Sequence, residues 1–156
     1  IGKDHIVLNY RNGIIITQLK IDIEGLACVG TANDVIGLST LGAAYIYRNV
    51  VADNGVIFKI TVACIELPGR ESGTITTDID FAFNSNAALE YNSPNGTVGE
   101  LDMDPSVAGT SVEFKNLADW ADEYMYITEG ATTSASNGVY SAGQYIITFY
   151  GAAIFT

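Results

Sequence analysis

The sequence predicts an all-β chain folded as an antiparallel β-sandwich, jelly-roll or immunoglobulin-like, with an N-terminal hairpin arm. Three observations predict it. Apolar residues recur with a period of two rather than 3.6. Turn residues punctuate the chain every ~8–15 residues, which suits about eight short strands. No long helical pattern, strand–helix–strand rhythm or internal repeat is present, which sets parallel sheets, propellers and solenoids aside.

The elements follow in order. Residues 1–26 read as the hairpin arm. In "IVLNYRNGIIITQLKIDIEGL", Asn12-Gly13 stands between two β-rich runs, the strongest short hairpin signal. In the second arm Thr17, Leu19, Ile21 and Ile23 share one face, and Gln18, Lys20, Asp22 and Glu24 share the other. That is the pattern of a half-buried strand. "VIGLS", "AAYIYRNVV" and "VIFKITVACIEL" continue the strands. The last sets Phe58, Ile60, Val62, Cys64 and Glu66 against Ile57, Lys59, Thr61, Ala63 and Ile65. "PGRESG" reads as a turn. In "TITTDIDFAF", Ile75, Thr77, Ile79, Phe81 and Phe83 alternate with Thr76, Asp78, Asp80 and Ala82.

Residues 84–111, rich in Asn, Ser, Gly and Pro, read as a long loop of the kind that works at an interface. Asn116 is placed to cap a helical turn through Trp120, followed by a strand from Tyr124 to Thr128. The final strand, Tyr140 to Tyr150, has Tyr145, Ile147 and Phe149 on one face and Ile146, Thr148 and Tyr150 on the other. Both faces are apolar or aromatic. Such a strand is central in a sandwich or covered by a neighbouring subunit. From Tyr145 to Thr156 there is no charged side chain.

At 156 residues the chain has the length of one domain, and residues 1–156 are read as one sandwich. Charged residues make up 16% of it, against about 25% in a typical domain. They are one-sided: 18 acids against 7 bases, net charge −11. So few charges leave neutral and apolar surface that an oligomer would bury, so a homo-oligomer is expected. Acidity with scattered Lys and Arg argues against nucleic acid. No run approaches the roughly 18 apolar residues of a membrane helix, and "IGKDHIV" lacks the apolar stretch of a signal peptide.

Catalytic chemistry has little to stand on. His5 is the single histidine, no Gly-x-Ser-x-Gly elbow is present, and phosphate loops, zinc spacings and redox motifs are missing. Asp78 and Asp80 share a strand face about 7 Å apart. Glu100, Asp102 and Asp104 are spaced alike, and Asp119, Asp122 and Glu123 cluster. These acids read as solvated surface ahead of a Ca²⁺ site or a glycosidase pair. Trp120, Tyr124, Tyr126, Tyr140 and Tyr145 read as core and interface residues ahead of a sugar platform. Cys28 and Cys64 read as reduced thiols. No cofactor, metal or catalytic residue is expected.

Three phrases carry a resemblance: "TANDVIGLSTLGAAYIYRNVVADNGVIFKITVACIELP", "TDIDFAF" and "ADEYMYIT…GVYSAGQYIITFYG". Together they resemble virion proteins of tailed phages, marine and cyanobacterial ones in particular. A "GxI…I…CIE-P" strand, a "TDIDL"-like strand and a terminal "YTAG-Y-I-FYG" strand recur there. The likeness covers roughly residues 31–151; the opening hairpin and the "AAIFT" tail depart from it.

The resemblance implies a head decoration (cement) protein, a small β-sandwich. Such proteins sit, often as trimers, on the capsid exterior and clamp the major capsid protein. It implies assembly in the host cytoplasm and no catalytic residues. The candidate interface is Asn12, Gly13, Tyr150, Ala152, Ala153, Ile154 and Phe155, with residues 152–156 as an interface tail. The alternatives are a tail, fibre or spike head domain, and a secreted or carbohydrate-binding sandwich with a Cys28–Cys64 disulfide.

Overall fold

Thr17, Leu19, Ile21 and Ile23 are all buried, whereas Lys20 and Glu24 are exposed, so the alternation of the second arm is realised as a strand with one face in the core. The computed structural model describes residues 4–11, 13–40, 42–73, 77–96, 99–103, 108–115, 120–130 and 137–153. Within them the chain runs β1 (Asp4–Arg11), β2 (Ile14–Asp22), β3 (Ala27–Cys28), β4 (Tyr47–Arg48), α1 (Val51–Asn54), β5 (Val56–Gly73), β6 (Ile79–Asn84), β7 (Gly99–Met103), β8 (Ser111–Lys115), β9 (Tyr124–Glu129) and β10 (Gly138–Ala152). The Asn116 cap and the residues after Ala153 lie outside the described residues.

These strands form two antiparallel sheets. The first has the order β1-β2-β10-β5-β8, with β3 also on β10; the second is β4-β9-β6-β7. Counting β2 and then β4 to β10 as strands one to eight, the sheets read one-eight-three-six and two-seven-four-five. One core joins them. Phe81 meets Tyr145 edge-on at 5.4 Å, and Tyr47 stacks on Phe149 at 5.4 Å, both across the sheets. Phe83 stacks on Trp120 at 4.3 Å. The fully buried Phe81, Phe83 and Phe149 each contribute about 1.5–3 kcal/mol by leaving water. β10 is central, with Tyr145, Ile147 and Phe149 in the core and Ile146 and Tyr150 half-buried on the outer face.

Four readings are corrected. "VIGLS" contributes only isolated bridges at Val35 and Gly37, and "AAYIYRNVV" only the two-residue β4 followed by α1. The stretch 84–111 is not one loop. It contains β7, whose Leu101 and Met103 are buried while Asp102 is exposed, a short alternation hidden among turn residues. "PGRESG" does not turn. β5 runs on to Gly73, and Pro68 falls where its register against β10 is irregular, so the missing N–H costs no regular ladder bond. Finally, Ile60, Val62 and Cys64 face inward but Phe58 and Glu66 do not, because register shifts interrupt β5 on either side of that run.

A buried carboxylate ties the segment after β3 to the second sheet. Glu129, fully buried, accepts hydrogen bonds from Val29 N at 2.6 Å and Gly30 N at 2.8 and 3.0 Å. Burial pushes its carboxyl above the usual range, and the backbone donors only partly offset this. A raised folded-state pKa favours folding most below the unfolded value near 4.5, and that advantage is lost as pH rises through the folded value. Wild type is therefore expected to lose stability relative to Glu129→Gln as pH rises above about 4.5. Paired urea titrations at each pH measure the difference; a constant gap would show that the carboxyl is not shifted.

Candidate docking surface

The uncharged end of β10 lies beside the start of β2 and the start of β5. Ala152 is paired with Ile14 on one side and Val56 on the other, so the three side chains share the outer face in one row. Ala152 is exposed, Ile14 is 39% exposed and Val56 54% exposed. A neighbouring row holds Ile16, Tyr150 and Lys59, all half-buried. The Lys59 ammonium lies 4.0 Å from the centre of the Tyr150 ring and 3.3 Å from Glu113, so the lysine is turned inward along the sheet. Between the rows β5 bulges. Tyr150 pairs with Lys59 but Gly151 with Ile57, leaving Phe58 as the extra residue, 46% exposed. A bulge re-aims a side chain in this way.

The backbone around this end is held closely. Gly13 accepts a hydrogen bond from Ala153 N at 2.8 Å, so the hairpin turn and the chain's last described residues adjoin. Behind them, α1 packs against β10. A Cβ on Gly151 would overlap the Asn54 carbonyl oxygen, and one on Gly55 would overlap the Ala152 carbonyl. Asn54 itself is buried and anchors a polar network. Its Oδ1 accepts from Thr17 Oγ1 at 3.1 Å and Tyr47 OH at 2.7 Å, and its Nδ2 donates to Asn49 Oδ1 at 3.0 Å. Asn49 Nδ2 donates on to Trp120 O at 2.9 Å. The network draws together three parts of the chain: Thr17 on β2, the run from Tyr47 to Asn54, and Trp120.

Of the sequence-predicted interface residues, Gly13, Tyr150, Ala152 and Ala153 are thus brought to one end of the first sheet. Asn12, Ile154 and Phe155 lie outside the described residues. Sequence reasoning missed Ile14, Val56 and Phe58. For Phe58 the alternation misled, since an extra residue reverses the face of everything before it.

The other candidates separate cleanly. Trp120, Tyr126, Tyr140 and Tyr145 are buried, which leaves only Tyr124 of the five partly exposed, with Tyr45 at 5.1 Å and the Arg48 guanidinium 5.3 Å over its ring. Cys28 and Cys64 form no disulfide. They pair with Gly138 and Tyr145, well apart along β10, roughly 20 Å at a strand's rise, where a disulfide tolerates about 7 Å. His5 pairs with Leu19 in β1. Asp122 is exposed and 3.7 Å from Arg48. Asp78, Asp80 and Asp102 converge, and the first two are buried, which corrects their reading as solvated surface. Asp104 and Asp119 lie outside the described residues. No helix among the described residues is long and apolar enough to cross a membrane.

Compared with family models, curated proteins and solved structures, the chain matches none.

Proposed function

We propose that this chain is a virion structural protein of the head decoration (cement) type, binding the major capsid protein of a tailed phage from outside as a homotrimer. We read its sandwich as a jelly roll, because the strand order one-eight-three-six against two-seven-four-five is that of two interlocked Greek keys. The observation that carries the functional reading is the convergence of Gly13, Ile14, Val56, Phe58 and Ala152 on one exposed end of the first sheet. Apolar side chains gathered in this way suit burial against another subunit. The net charge of −11 suits a surface turned away from packaged DNA. The reading assigns the chain no catalytic role and no cofactor.

The test replaces Ile14 and Phe58 together by serine. Both side chains are substantially exposed, so the fold is expected to stay intact by circular dichroism. Light scattering is expected to show a trimer for the parent and a lower mass for the variant. Co-sedimentation with empty capsids of the source phage is expected to fall at least about tenfold, the equivalent of about 1.4 kcal/mol. A variant that keeps the parent's mass and capsid binding would remove this surface from the function. A parent that is monomeric and ignores capsids would favour the fibre or carbohydrate-binding reading.

A further inference from the structure

The outer face of the second sheet carries a row that the docking surface does not use. Asp102, Asp80 and Thr128 are directly opposed across β7, β6 and β9, so their side chains lie side by side on the face away from the core. Asp78 continues the same face one step beyond β6. Its carbonyl accepts from Gly130 N at 2.9 Å, which places it diagonal to Thr128. A Cβ on Gly130 would overlap the Asp78 carboxylate, so that carboxylate leans across β9 into space only a glycine leaves. Oxygens of Asp78, Asp80 and Asp102 all lie within 4.8 Å of one another.

A group of acids alone says little. One further feature points to a ligand. Thr128 stands beside Asp80 and diagonal to Asp78 in the register, is 1% exposed, and its hydroxyl is buried with no hydrogen-bond partner among the described residues. An orphaned hydroxyl in that position has lone pairs to offer a cation. Asp80 and Asp102 are directly opposed in the register of β6 and β7. Asp80 is held in place meanwhile, its Oδ1 accepting from Met103 N at 3.1 Å.

We propose that Asp78, Asp80, Asp102 and the Thr128 hydroxyl form a binding site for one calcium ion. The donor set is all oxygen, the choice of a hard cation. Calcium–oxygen bonds of 2.3–2.6 Å put opposite ligands about 4.6–5.2 Å apart, so the cluster is no wider than one calcium shell. Two carboxylates on strands and one just before β6 supply up to six oxygens in an irregular set. Calcium accepts such a set, whereas magnesium demands a near-ideal octahedron and keeps its water. The ion would join β6, β7 and β9 and thereby fasten β7, the edge of the second sheet.

The experiment titrates chelator-stripped, dialysed full chain with CaCl₂ and, separately, MgCl₂, reading melting temperature and calorimetric heat. Calcium is expected to raise the melting temperature saturably with one site per chain, and magnesium to act more weakly. Asp102→Asn alters an exposed residue on an edge strand. It is expected to weaken calcium binding at least tenfold, with a calcium-free melting temperature at or above the parent's. Thr128→Val keeps the shape and removes the orphaned hydroxyl. It is expected to weaken binding several-fold, a change that a purely structural threonine would not cause. No saturable response by about 10 mM calcium, an equal response to magnesium, or parental affinity in either variant would each overturn the assignment.

Discussion

Asn54→Ala is expected to lower the free energy of unfolding by about 3 kcal/mol, among the largest effects of any single polar substitution in this chain. The side chain is 1% exposed and serves three partners at once. Removing it takes one hydrogen bond each from the Thr17 and Tyr47 hydroxyls and from the side-chain carbonyl of buried Asn49. Each unsatisfied group costs about 1–3 kcal/mol, reduced where the groups re-pair with one another or with a water that enters the space. The helical turn that Asn54 ends is only four residues long and has no side-chain cap at its start, so this network and the contact with β10 hold it. Urea unfolding at neutral pH measures the loss. Thr17→Val, which removes a single partner, is expected to cost about 1 kcal/mol. Equal losses in the two variants would mean that the network does not act through Asn54.

Gly151→Val is expected to cost about 3 kcal/mol or more, and to weaken assembly along with the fold. The added carbons would collide with the Asn54 backbone carbonyl, which cannot rotate away as a side chain would. Relief requires α1 and the start of β5 to move off β10, and Val56 and Phe58 move with them. Gly55, across the same contact, has φ 68° and ψ −170°, a conformation open essentially to glycine alone, so the turn cannot readjust cheaply. Gly96→Ala is the control. Among the described residues nothing lies within 4 Å of the added carbon there, and the change is expected to stay within about 0.5 kcal/mol. Thermal unfolding of both variants, with light scattering of each, separates the two cases. A Gly151→Val protein as stable as Gly96→Ala would show that the turn does not pack against the strand.

The Asp cluster shows where reading along the chain stops. Asp78 and Asp80 were visible as neighbours on one strand face, since alternation is a property of the backbone itself. Asp102 was equally visible, but in a stretch whose Asn, Ser, Gly and Pro content masked the alternation of Leu101 and Met103. Thr128 carried no signal whatever. Its place beside Asp80 depends on the register between β6 and β9, which no local pattern encodes. The docking surface divides in the same way. Gly13 and the end of β10 each stood out, one as a hairpin turn and one as a chargeless strand end. That they meet follows from β2 lying beside β10, a pairing of segments from opposite ends of the chain.

By itself the amino-acid sequence determined that this protein is built of antiparallel strands, and which side chains of β2 and β10 face the core. Both follow from a period of two, which is written residue by residue. Only the tertiary structure decided the order of strands in the two sheets, the bulge that turns Phe58 outward, and the meeting of three aspartates with a threonine. Those depend on which strands pair and in what register. That choice is made by the whole core at once, through side chains far apart in the chain.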